Sequence, residues 1–263
     1  MKDPHRELAR LRNPPFQVWL RGWRQRRVQR NLYRLLRQLP NVRLGDDIHF
    51  AAYQNVNFVA RGAQLEIGAD TWFFPEMVVS VFERGQLKIG HSCVWSGGLI
   101  SCRFRITIGD RVMAGRDVFI EDYEGHPTDP AWRSKQIDWM VERRTDRVST
   151  PTHPPLTPKE KAFFEKYPFT GMPPAPGLAV DEIVIGNNVW IGRDSKVRKG
   201  ARIGNNCIIA TGSVVTKAIP DNCIAGGVPA KPIREIEVRD FNQIMDEILA
   251  QYPDYQADPA TAW

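Results

Sequence analysis

The chain has 263 residues, 42% hydrophobic and 25% charged, an ordinary globular composition that supports one large domain or two small ones. No apolar run reaches the ~20 residues a membrane-spanning helix needs, and the charged N-terminus does not read as a signal peptide. Four cysteines without a CxxC pair exclude a disulfide framework and predict a reducing, cytoplasmic setting.

The net charge of +6 is unevenly spread. Residues 1–45 hold Lys2 and eleven arginines against Asp3 and Glu7, 12 − 2 = +10, so the rest of the chain carries 6 − 10 = −4. Residues 1–42 form a basic segment that reads as helical. After Pro14-Pro15, the apolar residues Phe16, Trp19, Leu20, Trp23, Val28, Leu32, Leu35, Leu36 and Leu39 recur close to a 3.6 period, with arginines on the other face. Two roles are open for it: a cap packed on the next element, or a helix lying on an anionic membrane surface with Trp19 and Trp23 inserted. Nucleic acid is not expected as a partner, because no recognised binding fold accompanies the charge.

Residues 43–234 carry a repeat. Ile185, Ile191, Val197, Ile203, Ile209 and Val215 are spaced six apart without a break. A helix has no six-residue period that keeps one face buried. Three short extended segments joined by tight corners do, closing a triangular coil of about 18 residues whose aliphatic side chains point inward. A five-residue phrase marks one corner, as in Ile185-Gly186-Asn187-Asn188-Val189 and Ile203-Gly204-Asn205-Asn206-Cys207. It occurs earlier at Leu44-Gly45-Asp46-Asp47-Ile48, Ile67-Gly68-Ala69-Asp70-Thr71, Ile89-Gly90-His91-Ser92-Cys93 and Ile108-Gly109-Asp110-Arg111-Val112. Gly and Asn suit the backbone that tight corners demand. The fifth position is small or β-branched, so Cys93 and Cys207 are read as core residues and not as metal ligands.

Between Ile108 and Ile185 the spacing jumps to 77 residues, so about 59 are inserted into one coil, at roughly 123–182. This long loop holds ten of the twenty prolines and reads as a lid or an acceptor wall, with a disordered spacer as the alternative. In the last segment, 235–263, Ile236, Phe241, Ile244, Met245, Ile248, Leu249 and Tyr252 predict an amphipathic helix that closes the final coil's open edge.

Ile191-Gly192, Thr211-Gly212-Ser213-Val214-Val215-Thr216-Lys217 and Ala225-Gly226-Gly227-Val228-Pro229-Ala230-Lys231-Pro232 resemble the hexapeptide-repeat acyltransferases over about residues 44–234. Glu121-Asp122-Tyr123-Glu124-Gly125-His126-Pro127, a detour, and then Ile185 to Gly192 are similar to the branch that O-acetylates sugars, whose detour is usually much shorter. The resemblance implies a left-handed parallel β-helix, an all-β core flanked by N- and C-terminal α-helices and one long inserted loop. It also implies a homotrimer with acetyl-CoA bound in clefts between subunits and a catalytic histidine from the neighbour or the facing coil.

Acetyl transfer from a thioester to a hydroxyl of a sugar or glycan precursor needs a base that takes the hydroxyl proton. His126, where a coil opens into the insertion, is the candidate. His91 lies at an outward repeat position, and His5, His49 and His153 lack a motif. No metal is expected, because the closely spaced histidine pair of the zinc-binding γ-carbonic anhydrases is missing. Asp122 is the candidate partner for the imidazole, with Glu124 and Asp129 nearby. Trp190 is expected as a wall beside the acyl site or as an interface aromatic. Gly192, Ala210 and Ser213 are read as small or polar outward positions along the pantetheine. Lys217, Lys231 and Arg234 are read as cations for the CoA phosphates. The competing readings are a non-catalytic oligomeric scaffold with the insertion as partner surface, and an acetyltransferase with an amine or nucleotide-sugar acceptor.

Overall fold

The computed structural model describes residues 27, 29–52, 55–143, 155–166 and 179–252. Its strands fall into three sheets of seven, eight and six, and from the first strand to the seventeenth each pairs in parallel with the strand three places further along the chain. That connectivity is a left-handed β-helix, a three-sided prism wound from stacked coils. Inward columns on every face explain it. On the first face Leu44, Ile67, Ile89, Ile108, Ile185, Ile203 and Ile219 stand in register. Phe50, Phe73, Trp95, Ala114, Ile191, Ile209 and Ala225 do so on the second. Val79, Ile100, Ile120, Val197 and Val215 do so on the third. The six-residue spacing thus visits each face in turn, and these columns form the main core.

The corner between first and second faces shows a division of labour inside the five-residue phrase. Its fourth residue takes a left-handed backbone: Asp47, Asp70, Ser92, Arg111, Asn188, Asn206 and Asn222 have φ between +51° and +57°. The glycine at the second position serves a different need from the one expected. A Cβ on Gly68 would stand 2.5 Å from the Gly90 carbonyl carbon, and one on Gly186 would stand 2.8 Å from the Asn205 nitrogen. Close stacking of the coils requires glycine there. The fifth residue is buried; Cys93 and Cys207 are core residues as expected, and Cys223 is buried with them.

The helix over residues 29–37, α1, covers the first coil. Leu32 and Leu36 join the main core, Tyr33 Oη donates to the Gly45 carbonyl at 2.6 Å, and Arg30, Arg34 and Arg37 stay exposed. This is the cap arrangement. Trp19 and Trp23, which carry the membrane reading, lie outside the described residues. Among the described residues, no helix is long and apolar enough to cross a membrane.

Two expectations need correction. The insertion, read as a loop, contains helices α2 (Pro130–Glu142) and α3 (Pro158–Lys166). They pack through their own small core of Trp139, Leu156 and Phe164, with Trp132 against it. At the far end, the helix that was expected to close the last coil, α4 (Phe241–Gln251), forms but buries none of its residues. The edge of the second face is covered by Ala230–Glu235, which folds back antiparallel onto Cys223–Gly227.

Candidate functional site

The insertion leaves the prism at the third corner, where the third face turns back to the first. Its two ends are tied together. Tyr123 bridges Val180, Glu124 N–H donates to the Ala179 carbonyl at 2.9 Å, and Asp181 N–H donates to the Asp122 carbonyl at 3.0 Å. On the outgoing strand, Asp129 caps α2 by accepting from Trp132 N–H at 2.8 Å, with Pro130 opening the helix. Arg133 donates to the carbonyls of Pro127 and Thr128 at 2.9 and 3.0 Å, which holds the segment between neck and helix.

His126 sits in that segment, exposed, with Nδ1 3.2 Å from Oε1 of Gln136, a side chain of α2 that is 4% exposed. Asp122, the expected imidazole partner, is used elsewhere. It is fully buried at the corner and accepts from Arg103 N–H and Phe104 N–H, each at 2.8 Å, with the Cys102 thiol at 3.4 Å. Burial pushes its carboxyl above the usual carboxylate range, against the pull of those two N–H groups. The position spent on holding the neck is thus Asp122, and the polar group on the histidine comes from the insertion. Glu124 pairs with Lys199 of the next coil at 3.4 Å.

The residues assigned to the cofactor divide between two edges. Trp190 projects outward from the second face, 52% exposed, and lines a cleft of about 440 Å³ with Met113, Ile208 and Val238. Gly192 and Ala210 lie at the corner between second and third faces, and Lys231 and Arg234 lie exposed on the strand added to the second face. Gly192 is dictated by stacking, since a Cβ there would meet the Thr211 nitrogen at 2.6 Å. Ser213 is buried and not outward; it hydrogen-bonds the Ala210 carbonyl at 2.5 Å and accepts from Gly227 N–H at 3.2 Å. Lys217 is exposed at the third corner, on the edge that carries His126 two coils earlier.

His91 has a structural task. Its Nδ1 accepts from Ala69 N–H at 3.1 Å, one rung of a ladder that continues through Asp110, Asn187, Asn205 and Asp221, each accepting from the backbone N–H of the corner before it. Gln136 carried no signal readable in the sequence, because nothing in the insertion's composition says which polar residue turns back toward the neck. For the helix that bears it, Asp129-Pro130 was an available start signal, but the segment was read as loop.

Residues 182–217 match the family model described as bacterial transferase hexapeptide (six repeats). The galactoside O-acetyltransferase of Escherichia coli (strain K12) is 55% identical over 58 residues, 22% of this chain and 29% of that protein. That of Lactococcus lactis subsp. lactis (strain IL1403) is 47% identical over 60 residues, 23% and 29%. The chain thus aligns with less than a third of these relatives' own length. Among solved structures, a variant of an N-acyltransferase from Bacillus cereus, in complex with dTDP and coenzyme A, overlays with a TM-score of 0.51 at 13% identity, covering 83% of this chain and 96% of that one, a likeness of fold alone. The six-residue repeat, the three-sided prism and the matched repeat model agree: over residues 182–217 the chain is similar to the hexapeptide-repeat transferases.

Proposed function

We propose that the protein is an acetyl-CoA-dependent O-acetyltransferase that modifies a hydroxyl of a sugar or glycan precursor, with His126 as general base. The observation that carries this reading is an exposed imidazole on the turn where the chain leaves the prism, in a chain 55% identical over 58 residues to a galactoside O-acetyltransferase. The imidazole takes the acceptor hydroxyl's proton as the oxygen attacks the thioester carbonyl. The tetrahedral intermediate then expels the CoA sulfur, which takes the proton back from the imidazolium. Backbone N–H groups at a coil corner supply the oxyanion donors.

The strand order also argues for more than one copy. Trp190 is on the second face and His126 at the third corner, which lies across the prism from that face. A cleft lined by both therefore takes His126 from one subunit and the second face from its neighbour, three such clefts in a homotrimer. Trp190, Gly192 and Ala210 then flank the pantetheine, Lys231 and Arg234 meet the phosphates, and Lys217 enters from the subunit that supplies His126. Asp122 acts as a positioning residue, anchoring the neck from which the histidine projects.

Calorimetry with CoA tests this directly. The account predicts saturable binding at micromolar ligand, weakened about 5- to 10-fold in Lys231→Ala by loss of one charge-assisted contact. An absence of binding would contradict it and favour a non-catalytic scaffold.

A further inference from the structure

We infer that Gln136, on helix α2 of the insertion, is the positioning residue that sets the tautomer of His126. The inference rests on His126 being the base, but its test does not require turnover.

Gln136 is one of two α2 residues buried against their surroundings, the other being Trp139 of the insertion's core. A glutamine amide almost wholly withdrawn from water keeps its place only if its polar atoms find partners. Its Oε1 lies 3.2 Å from His126 Nδ1. An amide oxygen carries no proton, so Nδ1 is the donor in this pair and the neutral ring holds its proton there. Nε2 is then the nitrogen with the lone pair, the one that abstracts a proton. This is the division of labour by which one nitrogen's hydrogen bond fixes the role of the other.

The partner is neutral where a carboxylate is commoner. An amide orients the ring and fixes its tautomer without placing a second charge beside it. The three carboxylates nearest His126 in the chain have other partners: Asp122 the backbone of Arg103 and Phe104, Glu124 Lys199, and Asp129 Trp132 N–H. Arg133, the cation on the adjoining turn of α2, donates to the carbonyls of Pro127 and Thr128.

The insertion gains a task by this reading. It returns one amide to the residue at its own root, and its helix pair holds that amide in place. Lys135–Glu160 at 3.1 Å and Lys161–Glu142 at 3.2 Å tie α2 to α3 on either side of the Trp139–Phe164 stack.

The test is ¹⁵N NMR of the histidine rings in the full-length protein, with His126→Ala used to assign the signal. In the wild type at high pH, His126 should appear as the Nδ1–H tautomer. Gln136→Leu should shift it toward the Nε2–H form and cut kcat about 10-fold or more, with CoA affinity unchanged. Gln136→Glu should keep the Nδ1–H tautomer and raise the ring's pKa, moving the acid limb of the pH–rate profile upward by about one unit. A wild-type Nε2–H tautomer, or a Gln136→Leu spectrum like the wild type's, would overturn the inference. Full activity in His126→Ala would instead remove the base assignment while leaving the tautomer result to stand or fall separately.

Discussion

At single positions, the requirements of the prism separate what was readable in the sequence from what was not. Inward residues were legible because burial repeats them every six places, so Ile185 through Val215 fell on the three faces as expected. Polar residues were harder, because the same side chain can serve water or a neighbouring coil. Ser213 and Asp122 looked like outward functional groups and are corner fasteners, while His91 is a rung of the corner ladder. The left-handed corner position gives a stability prediction. It is occupied mostly by Asn and Asp, residues that tolerate φ near +55°, but coil four has Arg111 there. Arg111→Asn should stabilise the fold by about 1 kcal/mol in denaturant unfolding, and an unchanged or lower midpoint would contradict the assigned strain. The thiols give a second one. Burial pushes Cys93 up to about 11, and Cys102, Cys207 and Cys223 are buried with it. The folded protein should react with a thiol reagent at neutral pH only as fast as it unfolds; rapid labelling of any of the four would count against the core placement.

At the scale of elements, the insertion was the least legible part. Its ten prolines suggested an irregular segment, yet two of them open helices. Thr157-Pro158-Lys159-Glu160 is a capping box in sequence and in space. Glu160 accepts from Thr157 N–H at 2.8 Å, and Thr157 Oγ1 accepts from Glu160 N–H at 3.3 Å. The Thr157 N–H bond first, then the Thr157 hydroxyl donating to the same carboxylate oxygen at 2.8 Å, together with Lys135, pull the Glu160 carboxyl down to about 2. A carboxyl depressed on folding stabilises the folded form above its unfolded value of 4.5, and the benefit is lost as pH falls toward about 2. The helix pair should therefore loosen across that window, with faster amide exchange in 158–166; Glu160→Gln should abolish the pH dependence. Exchange rates flat across the window in the wild type would contradict the cap's role. α4 was legible as a helix but not as an uncovered one, because amphipathic spacing reveals an apolar stripe and not what it rests on.

Over the whole molecule, the three faces differ. The first is charged, with Lys88–Glu66 at 3.0 Å and Glu182 between Arg105 and Arg202 at 3.7 and 3.1 Å. The second carries an outward column of Trp72, Val94, Met113, Trp190, Ile208 and Ile224 in register, with Trp72, Met113 and Trp190 about half exposed. A continuous apolar stripe of that kind marks an association surface. The proposed trimer places it against a neighbour, so Met113→Lys should lower the sedimentation mass of the assembly; a monomeric wild type would contradict that arrangement.

The central claim is that an imidazole at the root of the insertion drives acetyl transfer, and the most direct measurement is CoA release from acetyl-CoA across a panel of sugar acceptors, comparing the wild type with His126→Ala. The account predicts acceptor-dependent release in the wild type and a fall of at least ~100-fold in a variant that still folds and binds CoA. Undiminished release by His126→Ala would contradict it.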